Sequence, residues 1–504
     1  MSGIKSLAKD TAIYGLSSIV GRFLNWLLVP LYTAVFAPEA YGVVTYVYSV
    51  VALAMAVLTY GIETGFFRFA NHERWSDPME VYSTCLISLA TTSTMFVLLV
   101  AIFLNPISDV MECAGHPSFV MMMAVCVALD AFLAIPYSYL RYKKRPVRFA
   151  TIRLTNIGVN IGLNLFFILL CPRLAAWAPD TFGGIYDADF GIGYIFLSNL
   201  IASAVNMLMM IPELRGFRWR FNSRLWREMM TYSAPLLVLS VAGIMNQTVD
   251  KILYPVLVSD PAEAAYGLGI YGANYKVAIV MVMFLQAFRF AYEPFIFSRD
   301  RGAGESRNKA YSDAMKYFVI FALVIFLGVM FYLNIVRHFI SSRYYSGLDV
   351  VPVIMLAELF FGIFFNLSLW YKLSDRTVWG MWFSLLGLAV TLAMNVLLVP
   401  RLGYMGCAWA ALASYGVMML ASYFVGRVKH PIPYETGRIL GYFGIAAGIY
   451  AVGMYALPAM GMGALLTGAA RAVLILLFVL IAVRRENMPV GELAAVLSRR
   501  LKSR

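Results

Sequence analysis

LLVPLYTAVFAPEAYGVVTY, residues 27–46, and KILYPVLVSDPAEAAYGLGIY, residues 251–271, are two copies of one pattern. Pro30 and Pro255 stand 225 residues apart, and Tyr41-Gly42 and Tyr46 match Tyr266-Gly267 and Tyr271 at the same offset. Further on, Leu140, Tyr142 and Lys143 answer Leu369, Tyr371 and Lys372 at offset 229, and Pro172-Arg173-Leu174 answers Pro400-Arg401-Leu402 at offset 228. Matches in chain order at a nearly constant offset mark an internal duplication. Each proline interrupts a long apolar stretch. Paired interrupted helices at corresponding positions of two halves point to the binding site of a secondary carrier, with Pro30 and Pro255 as candidate hinges.

The surrounding composition supports that reading. The 504 residues are 61% hydrophobic and 13% charged, with a mean hydropathy of +0.75. Apolar runs of about 20 residues broken by short charged stretches are helices crossing a hydrocarbon layer roughly 30 Å thick. The absence of period-two alternation argues against a barrel. Fourteen spans are expected, near 11–36, 42–67, 82–104, 118–140, 151–171, 190–211, 232–257, 266–288, 312–336, 350–371, 378–399, 406–426, 438–457 and 464–483. The first apolar stretch is longer than a signal-peptide core and lacks a small-residue cleavage site, so it is expected to remain as a span.

The net charge of +13 is distributed by side. Counted on alternate sides, 31 of the 40 Lys and Arg fall with the N-terminus, and only Arg173, Arg337, Arg343 and Arg401 fall opposite. That asymmetry implies both termini in the cytoplasm. It also explains the excess charge without nucleic acid, since no soluble domain is present to carry a basic surface. The repeat offset covers six spans. An even number keeps both copies in one orientation, giving two parallel six-helix lobes and an appended pair. The expected architecture is an all-α polytopic membrane protein, with spans 1–6 in residues 1–220, spans 7–12 in 221–430, and spans 13–14 with a basic tail in 431–504.

Ionisable side chains inside spans are costly and by default face an interior cavity. Arg22 lies 11 residues into span 1, about 16 Å at 1.5 Å per residue, near the midplane. Lys276 reaches the same depth in span 8, and Lys251 stands beside the second proline. These three cations are expected to converge on one cavity, with Asn25, Asp130, Asp250 and Glu358 as further cavity or coupling residues. Asp250 and Lys251 are adjacent, so they should leave the helix in different directions and not neutralise each other. The plainer alternative is that each cation pairs with a nearby acid and only fixes packing. Arg471 in span 14 is set apart, as a side chain able to snorkel outward. Glu63 and Arg68 near the end of span 2, with Arg289 and Glu293 near the end of span 8, are candidates for an inner gate. Asn160, Asn164 and Asn395 read as interhelical hydrogen-bonding residues.

Other motifs carry less. Asp187-Ala-Asp189 fits an acidic metal-holding pattern of glycosyltransferases but is short and common by chance. Cys85, Cys113, Cys126, Cys171 and Cys407 are scattered, with no CxxC and no metal spacing. No Walker motif is present, so no ATP hydrolysis is expected. No cofactor or metal is expected either, apart from a coupling ion, H⁺ or Na⁺.

KSLAKDTAIYGLSSIVGRFLNWLLVPLYT at the N-terminus, APEAYGVVTY, GIETGFFRF and NVLLVPRLGYMGCAWA together resemble the polysaccharide transporter (O-antigen flippase) family of the multidrug/oligosaccharidyl-lipid/polysaccharide exporter superfamily. The resemblance covers essentially the whole chain. It implies a two-lobed carrier of the bacterial inner membrane, not an enzyme, that alternates between inward-open and outward-open states. The implied substrate is an undecaprenyl-diphosphate-linked oligosaccharide, moved between leaflets for surface polysaccharide biosynthesis. The implied partners are membrane lipid and a polysaccharide synthase or polymerase. Under this reading Arg22, Lys251 and Lys276 bind the diphosphate, and spans 13–14 offer a groove for the lipid tail. Two alternatives stay open: an ion-coupled multidrug or small-molecule exporter of the same superfamily, and a membrane polymerase or glycosyltransferase.

Overall fold

The computed structural model describes residues 14–486 except 16, 18, 73, 74, 76, 180–183, 185, 300–303, 375, 377 and 462, with the backbone alone at 291, 293–299, 304–307 and 373. The described residues form helices and no strand. In order they are α1 (Ile19–Val35), α2 (Pro38–Ala70), α3 (Pro78–Ile102), α4 (Pro117–Tyr142), α5 (Pro146–Trp177), α6 (Gly193–Leu214) and α7 (Ser223–Leu257). Then come α8 (Pro261–Arg299) and α9 (Gly304–Phe331). The last five are α10 (Val350–Lys372), α11 (Val378–Leu402), α12 (Tyr404–Lys429), α13 (Thr436–Ala459) and α14 (Ala464–Arg485). Thirteen are long and apolar enough to cross a membrane, and α1 is a shorter apolar helix. The chain is a multi-pass membrane protein.

Local chemistry fixes the helix ends. Pro38, Pro78, Pro117 and Pro146 open their helices, where a missing N–H costs nothing. The Asp77 carboxylate accepts from the Met79 N–H at 2.9 Å, and Asn222 Oδ1 accepts from Leu225 N–H at 3.0 Å. α2 is interrupted at Tyr60 and Gly61, both left-handed at φ 32° and 70°. Gly61 suits that conformation and also lets α2 lie against the backbone of Ser233 in α7. All five cysteines are free and buried.

Burial separates central helices from peripheral ones. In α10, 78% of the most apolar window is buried, against 11% in α14. An apolar helix buried on all sides is a core element, whereas α14 shows most of its surface to lipid. α4 packs against α2, α3 and α6, and α10 packs against α8, α9 and α12. The contact that joins these groups is the crossing of α2 over α8. A Cβ on Gly42 would collide with the carbonyl oxygen of Ala265, and one on Gly269 with the carbonyl oxygen of Pro38. Gly42 and Gly269 therefore permit a backbone-on-backbone approach that no larger residue allows, while Gly267, the repeat equivalent of Gly42, lies against the Tyr254 side chain instead.

The two prolines of the repeat are not equivalent. α1 breaks into a turn at Leu27–Leu28 and restarts at Val29 with Pro30 in its first turn. Pro255 lies two residues before the end of α7, which runs unbroken through it. The expected pair of interrupted helices is thus a single interruption. A proline in the last turn forfeits one terminal hydrogen bond and leaves no mid-helix kink.

The pair α13–α14 is fastened to α9. Lys316 is 3% exposed, and its Nζ lies 2.7 Å from Glu486 Oε2, 3.1 Å from Glu435 Oε1 and 3.2 Å from Asp313 Oδ1. Tyr442 donates to Glu486 Oε1 at 2.7 Å. Arg471 does not reach out to the membrane surface. Its Nε donates to the Gly453 carbonyl and its Nη1 to the Phe331 carbonyl, both at 3.0 Å. Gly453 lies in a π-helical turn (Val452–Ala456), where the regular i−4 ladder is broken and a carbonyl is available.

Two expectations follow. Gly269→Ala should lower the thermal unfolding midpoint of the detergent-solubilised protein, by about 1–3 kcal/mol or more from overpacking. Gly158→Ala, where an added Cβ meets nothing within 4 Å, is the control. The second concerns pH. Burial pushes the Glu486 carboxyl up, but hydrogen bonds from Lys316 and Tyr442 outweigh it and hold the group below its ordinary 4.5. Its stabilisation is present above that value and is lost as pH falls through the lower folded-state value. Glu486→Gln should therefore destabilise the protein at neutral pH by about 1–3 kcal/mol. The gap to wild type should close as pH falls from the ordinary 4.5 through the lower folded-state value in the same unfolding measurement.

Candidate functional site

The break in α1 sets the site. At Leu28 the helical ladder shifts, its N–H bonding to the Asn25 carbonyl at 3.2 Å, and the Trp26 indole N–H donates across to the Lys276 carbonyl in α8 at 2.8 Å. The Trp26 ring stacks on Phe339 with centroids 4.0 Å apart. Arg22 and Asn25 are thereby held exposed to the interior rather than packed.

Three adjoining cavities of 510, 210 and 400 Å³ share Arg22 as a lining residue. The first lies among α1, α2, α5, α6, α7 and α8 and includes Asn25, Gln247, Lys251, Tyr275 and Lys276. Its side toward the α1–α2 turn ends at the crossing of Gly42 and Gly269. The second is walled by Asp130, Arg153, Asn156, Asn160 and Asn199. The third holds Tyr14, Arg141, Phe149 and Arg289, at the helix ends nearest the start of α1, here termed the near face. Among the residues lining the three, six are cations (Arg22, Arg141, Arg153, Lys251, Lys276, Arg289) and one, Asp130, is a carboxylate. Neither Arg22 nor Lys276 has a carboxylate partner among the described residues. Unpaired cations tolerate a low-dielectric interior only if the space beside them is wet or takes up an anion.

Asp250 and Glu358 do not line these cavities. They form a buried polar chain behind Lys251. Lys251 Nζ donates to both carboxylate oxygens of Asp250 at 3.1 Å and to the Gln247 carbonyl at 3.0 Å. Tyr271 donates to Asp250 Oδ2 at 2.6 Å, and Tyr275 to Glu358 Oε1 at 3.0 Å. Lys251 Nζ also sits 4.3 Å above the Tyr275 ring. The expectation that adjacent Asp250 and Lys251 would not neutralise each other is therefore corrected. Helix geometry fixes the Cα–Cβ directions, but four methylenes let the ammonium curl back to its neighbour. Asp130 accepts from Ser203 Oγ at 2.9 Å and keeps a face on the second cavity.

Among the described side chains, the gate candidates Glu63, Arg68 and Arg289 contact residues outside the proposed gate. Glu63 accepts from Arg141 of α4 at 2.9 Å and from Ser138 at 3.3 Å. Arg68 lies 4.1 Å over the Tyr232 ring of α7. Arg289 lies 3.9 Å over the Phe365 ring of α10 and faces the third cavity. The Glu293 side chain is outside the described residues. Glu63 and Arg68, five residues apart, leave the helix on different faces, so α2 alone does not pair them.

Arg141 and Arg153 are cavity residues that the sequence reading assigned to the topology signal. A signal for Arg153 was present. Pro146 starts α5, and Arg153, Asn156, Asn160 and Asn164 follow at i, i+3, i+7 and i+11, one polar stripe on an otherwise apolar helix. Asn160 lines the cavities, while Asn164 is buried and accepts from Tyr32 at 2.9 Å.

Comparison with known proteins places this arrangement. The family model described as "Polysaccharide biosynthesis protein" matches residues 7–298. No curated protein matches the chain in sequence. Among solved structures, the lipid II flippase MurJ in an inward closed conformation is similar over 94% of this chain and 99% of its own, with TM-score 0.70 and 14% identity. An inward-facing multidrug resistance MATE family transporter is similar over 83% and 94%, with TM-score 0.63 and 12% identity. An outward-facing member of the same transporter family follows at 84% and 95%, TM-score 0.57 and 14% identity. At these identities the likeness is one of fold.

The buried pair gives a direct test of the geometry. Asp250→Asn, which leaves the Lys251 ammonium without its counter-charge, should cost about 3–5 kcal/mol. Combining it with Lys251→Met should recover most of that loss. A double-mutant cycle on unfolding midpoints reads both numbers, and additive losses would mean the pair is not coupled.

Proposed function

The chain belongs to the family of polysaccharide biosynthesis proteins, and from that membership we propose that it is a flippase for polyprenyl-diphosphate-linked oligosaccharide. The observation that carries the reading is the positive lining of the cavity: six cations, of which Lys251 and Arg141 are paired with Asp250 and Glu63 behind them, and one lining carboxylate, with Arg22 common to all three spaces. A diphosphate moved through a low-dielectric interior must exchange its hydration for fixed positive charge, and guanidinium groups fit phosphate oxygens with paired N–H donors. In this reading Arg22 and Lys276 hold the diphosphate with Arg153 beside them. Lys251 contributes less than expected, because Asp250 already neutralises it. Asn25, Asn160, Asn199 and Gln247 offer hydrogen bonds to glycan hydroxyls.

The cavities step from mid-helix toward the near face. In this reading that face is the cytoplasmic side of a bacterial inner membrane, which the charge asymmetry of the sequence supports and which suits loading from the inner leaflet. The lobes are residues 1–220 and 221–430, with 431–504 appended, and the α2–α8 crossing would be the contact that parts when the carrier opens outward. Asp130, next to the cavity, is the accessible coupling carboxylate for H⁺ or Na⁺. Asp250 and Glu358 serve the same role only if Lys251 moves. A synthase or polymerase would act before or after the transported lipid. A carrier for cationic drugs calls for the opposite sign of lining, so the exporter reading is the weaker one.

Arg22→Gln and Lys276→Gln, each at confirmed expression, should lower surface polymer by roughly ten- to hundredfold, the loss of charge-assisted bonds of about 1.5–3 kcal/mol. Polyprenyl-diphosphate oligosaccharide should accumulate in lipid extracts read by mass spectrometry. Full transport by both variants would remove the diphosphate-binding role. Unchanged lipid intermediates together with new sensitivity to cationic drugs would place the protein among exporters.

A further inference from the structure

A second polar space lies apart from the central cavities, on the near face of the second half. It measures 220 Å³ and is enclosed by the last turns of α10 and α12 and by the connection from α12 to α13. Its walls include Trp370, Ser422, Gly426, Arg427, His430 and Tyr434. Three of these present polar groups with no hydrogen-bond partner among the described residues: the Trp370 indole N–H, the Ser422 hydroxyl and the Tyr434 hydroxyl. Trp370 is 1% exposed and Ser422 is fully buried. A buried polar group without a partner is costly and rare, so three around one space ask for a common ligand.

The chemistry of the walls selects that ligand. An indole N–H only donates, so the atom opposite Trp370 must be an acceptor. Both hydroxyls donate as well. Arg427 adds a fixed positive charge at the rim. The carbonyl ends of α10 and α12 oppose negative charge, and Arg427 and Lys429 in the last turn of α12 offset them. The nearby carboxylate of Glu435 is engaged by Lys316 and Arg438. At 220 Å³ the space is smaller than the roughly 300–1,000 Å³ of sites for drug-sized ligands, which suits a single headgroup or ion. Three spans start or end at this level, and Phe424 and Val428 beside it are exposed.

We propose that this pocket binds a phosphate-type oxyanion, either inorganic phosphate or the headgroup of a membrane phospholipid, independently of the central cavity. Binding pairs the three orphaned groups at once and joins α10, α12 and the connection between α12 and α13 through one anion. The test uses full-length purified protein, wild type against Arg427→Gln and Ser422→Ala, with Arg22→Gln as the central-cavity control. Thermal unfolding is followed with sodium phosphate against sodium chloride at matched ionic strength. Native mass spectrometry follows retention of phosphatidylglycerol after delipidation and re-addition.

If inorganic phosphate is the ligand, it raises the midpoint saturably in wild type and in Arg22→Gln. The apparent affinity then falls about tenfold or more in Arg427→Gln, in line with a lost charge-assisted bond. If a headgroup is the ligand, the phosphate effect is absent, but one lipid adduct persists in wild type and is lost in Arg427→Gln and Ser422→Ala. A phosphate effect abolished by Arg22→Gln and kept by Arg427→Gln would overturn the proposal, because the anion would then be reading the central cavity. So would the absence of both signals in wild type.

Discussion

A charge inside a hydrocarbon layer must be paired, capped by carbonyls, or left facing water, and this constraint orders the molecule. All three solutions occur here. Lys251 and Lys316 are paired with carboxylates, at Asp250 and at Glu486. Arg471 is capped by the Gly453 and Phe331 carbonyls. Arg22 and Lys276 take the third solution and face an interior space. Only the third leaves positive charge free to meet a ligand. The distinction between structural and candidate functional cations therefore follows from how each one is satisfied, not from its depth in the membrane.

Backbone geometry decides where that space can exist. The turn at Leu27–Leu28 turns Arg22 and Asn25 inward, and the α2–α8 crossing at Gly42 and Gly269 closes one side. Both features come from residues without bulk or without a backbone N–H: glycine where two backbones touch, proline where a helix restarts. The strongly apolar α10 lines none of the three central cavities. It serves as the packing centre of its half, and its one buried acid, Glu358, is held by Tyr275.

The helices were legible in the sequence because lipid makes the signal strong. Each expected span from the second to the fourteenth overlaps a helix, several of which run longer than the apolar stretch, as α5, α7 and α8 do, and the expected first span contains α1. The site was legible in part. Arg22, Asn25, Lys251 and Lys276 could be placed by depth and repeat position, and they do line one cavity. Arg141 and Arg153 were masked, because a basic residue near a helix end carries the same topological signal whether or not it turns inward. The pairing of Lys251 with Asp250 was hidden for a different reason. A helical wheel locates Cβ atoms, while the ammonium lies several rotatable bonds away. Nor does periodicity tell a proline that breaks a helix from one lodged in its last turn, as Pro30 and Pro255 demonstrate.

The fastening of α13–α14 has a mechanical meaning. Lys316 and Phe331 lie 15 residues apart on α9, about 22 Å at 1.5 Å per residue. Each anchors the terminal pair, one through Glu486 and the other through Arg471. A beam held at two separated points resists both sliding and pivoting. The terminal helices are thus a rib riveted to α9, and any rocking of α9 sweeps their lipid-facing surface through the membrane with it.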